Sequence, residues 1–209
     1  ILPNNHLNRH TLNLRINNQI SKRLSTDAKV TFTNQYIKNK PRSGEESSVT
    51  MNLYKTPRSV DLNNVYNRFE DENGDPTYWT TSGVYMNPYW TMNRTFANEK
   101  RNRIIALGSV KYELTDWLNV QGRISYDWYN DQHQYGFSNK TLLFAGNGGS
   151  YQEYNMQNLE RNIDVILFGN NKSSEDISIT YNAGAGQTYQ QFEQVGASTN
   201  GLSVPNWFA

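Results

Sequence analysis

Cysteine is absent from the 209 residues, which excludes a disulfide scaffold and any thiolate metal site. No stretch approaches the roughly 18 consecutive apolar residues that a membrane-crossing helix needs. An excess of charge of either sign is also missing. The 20 basic and 19 acidic residues leave a formal +1, so no broad field favours nucleic acid as a partner. The chain starts Ile1-Leu2-Pro3-Asn4, without an initiator Met, a basic leader or an apolar signal core. The expectation is a processed protein or an internal piece of a longer one. Hydrophobic residues make up only 36%. That value argues against helical membrane proteins but leaves β-barrels open, because there only alternate residues must face lipid.

What is present is alternation of period two, in six stretches. The first sets Leu12, Leu14, Ile16 and Ile20 against Thr11, Asn13, Arg15, Asn17 and Gln19. The second sets Ala28, Val30, Phe32 and Tyr36 against Asp27, Lys29, Thr31 and Gln35. In the third, Ile104, Ala106, Val110 and Tyr112 oppose Arg103, Ser109 and Lys111, with Ile105 and Leu107 breaking the polar side. The fourth is the most regular, with Leu118, Val120, Ile124, Tyr126 and Trp128 opposite Asn119, Gln121, Arg123, Ser125 and Asp127. The fifth places Ile163, Val165 and Leu167 against Asn162 and Asp164, and the sixth Ile177, Ile179 and Tyr181 against Ser178, Thr180 and Asn182. These patterns predict strands near 11–20, 26–37, 101–114, 118–129, 159–169 and 177–188.

A soluble sheet with one wet face also alternates. Three features point instead to a membrane barrel. The strands exceed the usual soluble length of roughly 5–6 residues and match the roughly 9–11 of a tilted membrane strand. Connections 21–25, 115–117 and 170–176 are tight, whereas 38–100, 136–158 and 189–209 are long, the asymmetry of periplasmic turns and external loops. Aromatic residues, 13% of the chain with 14 Tyr and 5 Trp, mark the strand ends. Trp117 and Trp128 would stand about 28 Å apart in height on a strand tilted near 40°, close to the roughly 25 Å apolar band between aromatic girdles. The predicted fold class is therefore all-β: an antiparallel segment of about six strands, in three hairpins, of a large transmembrane β-barrel. Leu12, Leu14, Ile16, Val30, Phe32, Val110, Val120, Ile124, Ile179 and Tyr181 should share one face.

The stretch from Asn98-Glu99-Lys100-Arg101-Asn102-Arg103 through Leu114-Thr115-Asp116-Trp117-Leu118 to Tyr129-Asn130-Asp131 resembles the barrel of SusC/RagA-type TonB-dependent receptors. Asn4-Asn5 with Asn8-Arg9, Pro57-Arg58 with Val60-Asp61, Glu70-Asp71-Glu72-Asn73-Gly74, Asn87-Pro88-Tyr89-Trp90 and Gly201-Leu202-Ser203-Val204-Pro205-Asn206-Trp207-Phe208 carry the same resemblance. It implies a barrel of about 22 strands with a plugged lumen in the bacterial outer membrane. Such receptors import oligosaccharides or peptides, powered through the TonB complex and capped by a SusD-like surface lipoprotein. The plug domain, the TonB box and the remaining strands have no counterpart in this sequence, so a mid-barrel piece is expected, bordered by outer-membrane lipid.

Two groups of candidate residues follow. Arg15, Lys29, Lys111, Arg123, Asp127 and Asp164 occupy the polar parity and would face the lumen or the plug. Tyr78, Trp79, Tyr85, Tyr89 and Trp90 cluster in the loop 38–100. Either they form a private core that holds the loop folded, or they expose rings for a sugar or for the capping lipoprotein. No cofactor, metal or catalytic residue is expected. His6 and His10, four apart on an extended chain, would stand roughly 13 Å from each other, too far to share an ion. His133 has no nucleophile in a recognisable setting. The acidic run Glu70–Asp75 lacks the EF-hand pattern and reads as a solvated turn. The rival to a transporter is a secreted, soluble carbohydrate-binding β-domain using the Trp- and Tyr-rich loop.

Overall fold

The computed structural model describes residues 2–42, 48–78, 80, 83–172 and 177–208, the side chains of Tyr66 and Lys172 excepted. Six strands form one antiparallel sheet in sequence order: β1 (His6–Gln19), β2 (Leu24–Lys38), β3 (Thr95–Glu113), β4 (Leu118–Ser138), β5 (Gly149–Lys172) and β6 (Ser178–Ser198). Three short helices, α1 (Val49–Lys55), α2 (Leu62–Asn67) and α3 (Pro88–Arg94), lie between β2 and β3. Among the described residues no helix is long and apolar enough to cross a membrane.

Register shows which residues share a face. Leu12, Phe32, Ile104, Trp128 and Leu159 are partners across five strands, as are Ile16, Ala28, Gly108, Ile124 and Ile163. Val120 pairs with Tyr112 and Leu167, and Tyr181 with Gly169. The expected shared face is thus present, with Leu12 and Val120 on the same side. This face is also the barer one: Leu12 is 70% exposed and Val165 51%, with Leu14, Val30, Val110, Ile124 and Ile179 all exposed. The apolar side of the sheet is uncovered, and the smaller hydrophobic core lies elsewhere.

The apolar parity is confined to a band. It covers residues 12–20, 24–32, 104–114, 118–128, 159–169 and 179–185. A stretch of about ten residues spans roughly 33 Å along a strand and about 25 Å in height at a tilt near 40°. Aromatic rings border it. Phe32, Trp128 and Tyr126 stand at one margin, and Tyr112, Trp117 and Tyr181 at the other. The Trp117 ring meets Tyr181 edge-on at 6.3 Å, which puts it on the apolar side. Gly169 makes that contact possible, since a Cβ there would lie 2.7 Å from the Tyr181 ring and from the Trp117 carbonyl. Arg161 enters the upper edge of the band, paired with Tyr126, and lays its guanidinium over the Tyr189 ring at 5.3 Å. A long cationic side chain can reach polar surroundings from such a marginal row.

The strands continue well past the band, which corrects the expected boundaries. β4 has 21 residues and β5 has 24. The long connections are correspondingly shorter: 139–148 rather than 136–158, and 39–94 rather than 38–100, while β6 reaches Ser198 instead of yielding to a loop at 189. Just beyond the band the apolar parity turns polar, as in the cross-strand row Asn34, Asn102, Asn130 and Gln157. Period-two alternation vanishes where both faces are wet, although the hydrogen-bonded ladder continues. Two of the tight turns close at the opposite end. The Ile20 N–H donates to Leu24 O (2.9 Å) and the Thr115 N–H to Leu118 O (3.1 Å). The third expected tight turn, Ser174-Glu175-Asp176, lies outside the described residues.

Candidate functional site

The face opposite the apolar band carries a ladder of ion pairs. Strand parity sends Arg15, Lys29, Lys111, Arg123, Asp127 and Asp164 to this one side. Arg15 forks onto Asp27 at 3.0 and 2.8 Å, and Arg123 Nε reaches Asp164 at 2.7 Å. Asp127 accepts from Arg103 Nε at 2.8 Å. Lys111 stands 3.6 Å from Glu113 and over the Phe168 ring at 5.6 Å. Lys29 is the direct partner of Arg15 and Leu107. Leu107 and Ile166, which break the polar pattern, sit among these charges as apolar islands on the same face.

Higher on this face the sheet builds a denser cluster. Arg101 forks onto Asp131, with Nε–Oδ1 at 2.6 Å, and the Asp131 side chain is only 5% exposed. His133 stacks on Tyr154 at 4.8 Å, its Nδ1 3.3 Å from Glu99 Oε1, while Lys40 Nζ reaches Glu99 at 2.9 Å. The Tyr154 hydroxyl donates to Tyr135 Oη at 3.2 Å. Burial foremost pushes the Tyr135 phenol well above its usual range. Arg42 spreads over the rings of Tyr135, Phe137 and Phe144 at 5.5, 5.3 and 4.8 Å. None of Glu99, Arg101, Arg103, Asp131, Tyr135 or Tyr154 stands among the expected site residues. Their signal is the continuation of strand parity upward, with charges at 99, 101 and 103 facing 131 and 127 across the ladder.

The helical connection docks on the upper end of the sheet. Each helix begins at a side-chain cap. Ser48 Oγ accepts from Met51 N (3.4 Å), Asp61 Oδ1 from Asn63 N (2.9 Å) and Asn87 Oδ1 from Tyr89 N (3.0 Å), the last with Pro88 in the first turn. Caps of this kind satisfy orphan N–H groups at a helix start. Trp90 is 1% exposed, and its Nε1–H donates to Thr141 Oγ1 at 3.0 Å. Met86, Asn87, Pro88 and Asn52 are buried beside or near it.

The expected aromatic cluster is therefore dispersed. Trp90 belongs to the private core. The Tyr78 hydroxyl donates to Lys140 O at 3.3 Å, and Tyr85 lies under Lys55 Nζ at 4.5 Å. Tyr89 is half-buried on α3. Trp79 lies outside the described residues. The acidic run behaves as a turn. Asp71 Oδ1 accepts from Asn73 N and Asp75 N at 2.9 Å, Glu70 holds Arg94, and Asp75 pairs with Lys140. Those backbone hydrogen bonds, the one from Asp75 foremost, hold the Asp71 carboxyl below its usual range.

No family model matches the sequence, and no curated protein matches it. Solved structures do. The RagAB peptide importer in its closed-closed state aligns with a TM-score of 0.67 at 14% identity, covering 92% of this chain and 21% of that one. The RagAB peptide transporter gives 0.67 at 16%, and the open-open state 0.65 at 15%, with the same coverages. The fold is that of a RagAB barrel segment. The chain spans about a fifth of the length of the solved chains it matches. The resemblance read from the sequence to SusC/RagA-type receptors thus holds at the level of the fold.

Proposed function

We propose that this chain is a stretch of wall from an outer-membrane, TonB-dependent transporter with no catalytic role. The observation that carries the reading is the bare apolar band, about as tall as a bilayer core and bordered by aromatic rows. A contiguous exposed apolar surface of this extent is rare on a soluble monomer, which weighs against the secreted carbohydrate-binding domain. In this reading the band meets lipid. The ion-pair ladder, including Arg15, Lys29, Lys111, Arg123, Asp127 and Asp164, faces the lumen and a plug supplied by another part of the protein. The helical connection and the rim stand on the outer side, where a SusD-like lipoprotein would cap them.

The likeness to structures described as a peptide importer favours peptides over oligosaccharides as cargo. The test is uptake in cells that express the full-length protein. Labelled oligopeptides should accumulate in a TonB-dependent manner and labelled oligosaccharides should not. Uptake of oligosaccharides alone reverses the cargo assignment, and uptake of neither in a correctly inserted protein removes the transport reading.

A further inference from the structure

Above the band on the apolar side, a cleft of about 770 Å³ opens between the strand ends, α3 and the segment after β6. Its wall carries Asn4, Asn39, Asn73, Asn93, Asn98 and Asn206. Lys38, Phe96 and Phe208 also line it, and among the described residues no carboxylate does. Asn39 gives its Nδ2 to the Asn4 carbonyl at 3.0 Å and leaves Oδ1 buried with no partner. Asn98 and Asn206 spend Oδ1 on the N–H groups of Asn39 (3.3 Å) and Asn139 (2.7 Å), which keeps their own amide hydrogens for a ligand. Phe96 and Phe208 meet edge-on at 5.3 Å and supply an apolar wall. Left-handed backbone gathers here too, with φ of 62°, 52° and 63° at Asn4, Asn39 and Asn206. Such strained conformations cluster where a ligand is clamped.

Amide donors, ring edges and a lysine without opposing carboxylates suit a polyhydroxylated ligand, neutral or anionic. Height decides where it comes from. Lys38 stands six residues above Phe32 on β2, and Asn98 six above its partner Ile104 on β3, about 15 Å above the band at a tilt near 40°. A compact headgroup region extends only about 5–8 Å beyond the hydrocarbon and falls short, whereas a headgroup of several sugars reaches. We propose that this cleft binds the saccharide headgroup of a glycolipid in the surrounding leaflet. The proposal rests on the lipid-facing reading of the band.

The test uses the full-length protein in nanodiscs of phospholipid with or without a phosphorylated, multi-sugar glycolipid. Native mass spectrometry reads the lipid retained after detergent exchange. Lys38→Glu with Asn206→Asp puts two carboxylates into the cleft while keeping the Asn206 acceptor. The double variant should retain about tenfold less glycolipid, as expected for loss of one good polar contact, with insertion and uptake unchanged. Lys38→Glu alone, at an exposed site, should show the same direction if the double variant folds poorly. Equal retention by wild type and variants overturns the proposal. Competition by the free saccharide chain, with no preference for the lipid-linked form, assigns the cleft to soluble glycan and overturns the lipid source. Failure of the protein to enter phospholipid nanodiscs strikes the band itself, a separate result from loss of glycolipid alone.

Discussion

Trp90 is almost wholly buried, and its indole N–H is committed to Thr141, so truncation there removes both packing and a hydrogen bond. Trp90→Ala should cost about 3–5 kcal/mol of local stability, read as new protease cleavage within 39–94 while the strands stay protected. Tyr135 offers a second handle. Its phenol is held protonated foremost by burial, so the folded state keeps a proton that the unfolded chain releases near pH ~10. This stabilisation is complete below that pH and is lost as pH rises toward the folded value. Melting in detergent should therefore hold up to about pH 10 and drop above it, by less in Tyr135→Phe, and that variant should lack one late-titrating tyrosinate signal. Neither residue's role could be read from composition. From the sequence Trp90 suited a private core more than a sugar platform, and the partner Thr141, far along the chain, shows the core.

At the scale of the strand, parity sets the consequence of a substitution. Ile124 projects into the middle of the band, and its neighbour Ser125 projects to the ion-pair side. Ile124→Arg should destabilise the inserted protein by about 2–4 kcal/mol, as for a cation near the bilayer midplane, and Ser125→Arg by well under 1 kcal/mol. Urea titration in bilayers or detergent distinguishes the two. Alternation was legible only where one face is apolar, so the sequence showed the band parts of β3, β4 and β5 and hid their upper thirds. There Asn98, Asn130 and Gln132 leave no contrast between faces. The helices were hidden for another reason. At 6 or 7 residues each, they are too short to show a 3.6-residue period, and their caps at Ser48, Asp61 and Asn87 are common loop residues.

For the molecule as a whole, the outer strands govern behaviour. β1 and β6 are exposed along their whole lengths, and each presents a row of backbone groups that another chain can pair with. The 209-residue chain expressed alone should aggregate in buffer and need detergent. A monodisperse, cooperatively melting monomer in plain buffer would contradict the barrel-segment reading. The overrun of the strands past the band has a mechanical consequence as well. β3, β4 and β5 are bonded to one another without interruption from the tight turns to the rim, and each row broken costs about 1 kcal/mol per hydrogen bond. Bending such a wall is therefore expensive, whereas swinging something attached to its rim is cheap. Force applied at the outer edge passes down the strands to the level of the apolar band. The wall works as a stiff frame for whatever is attached at its rim.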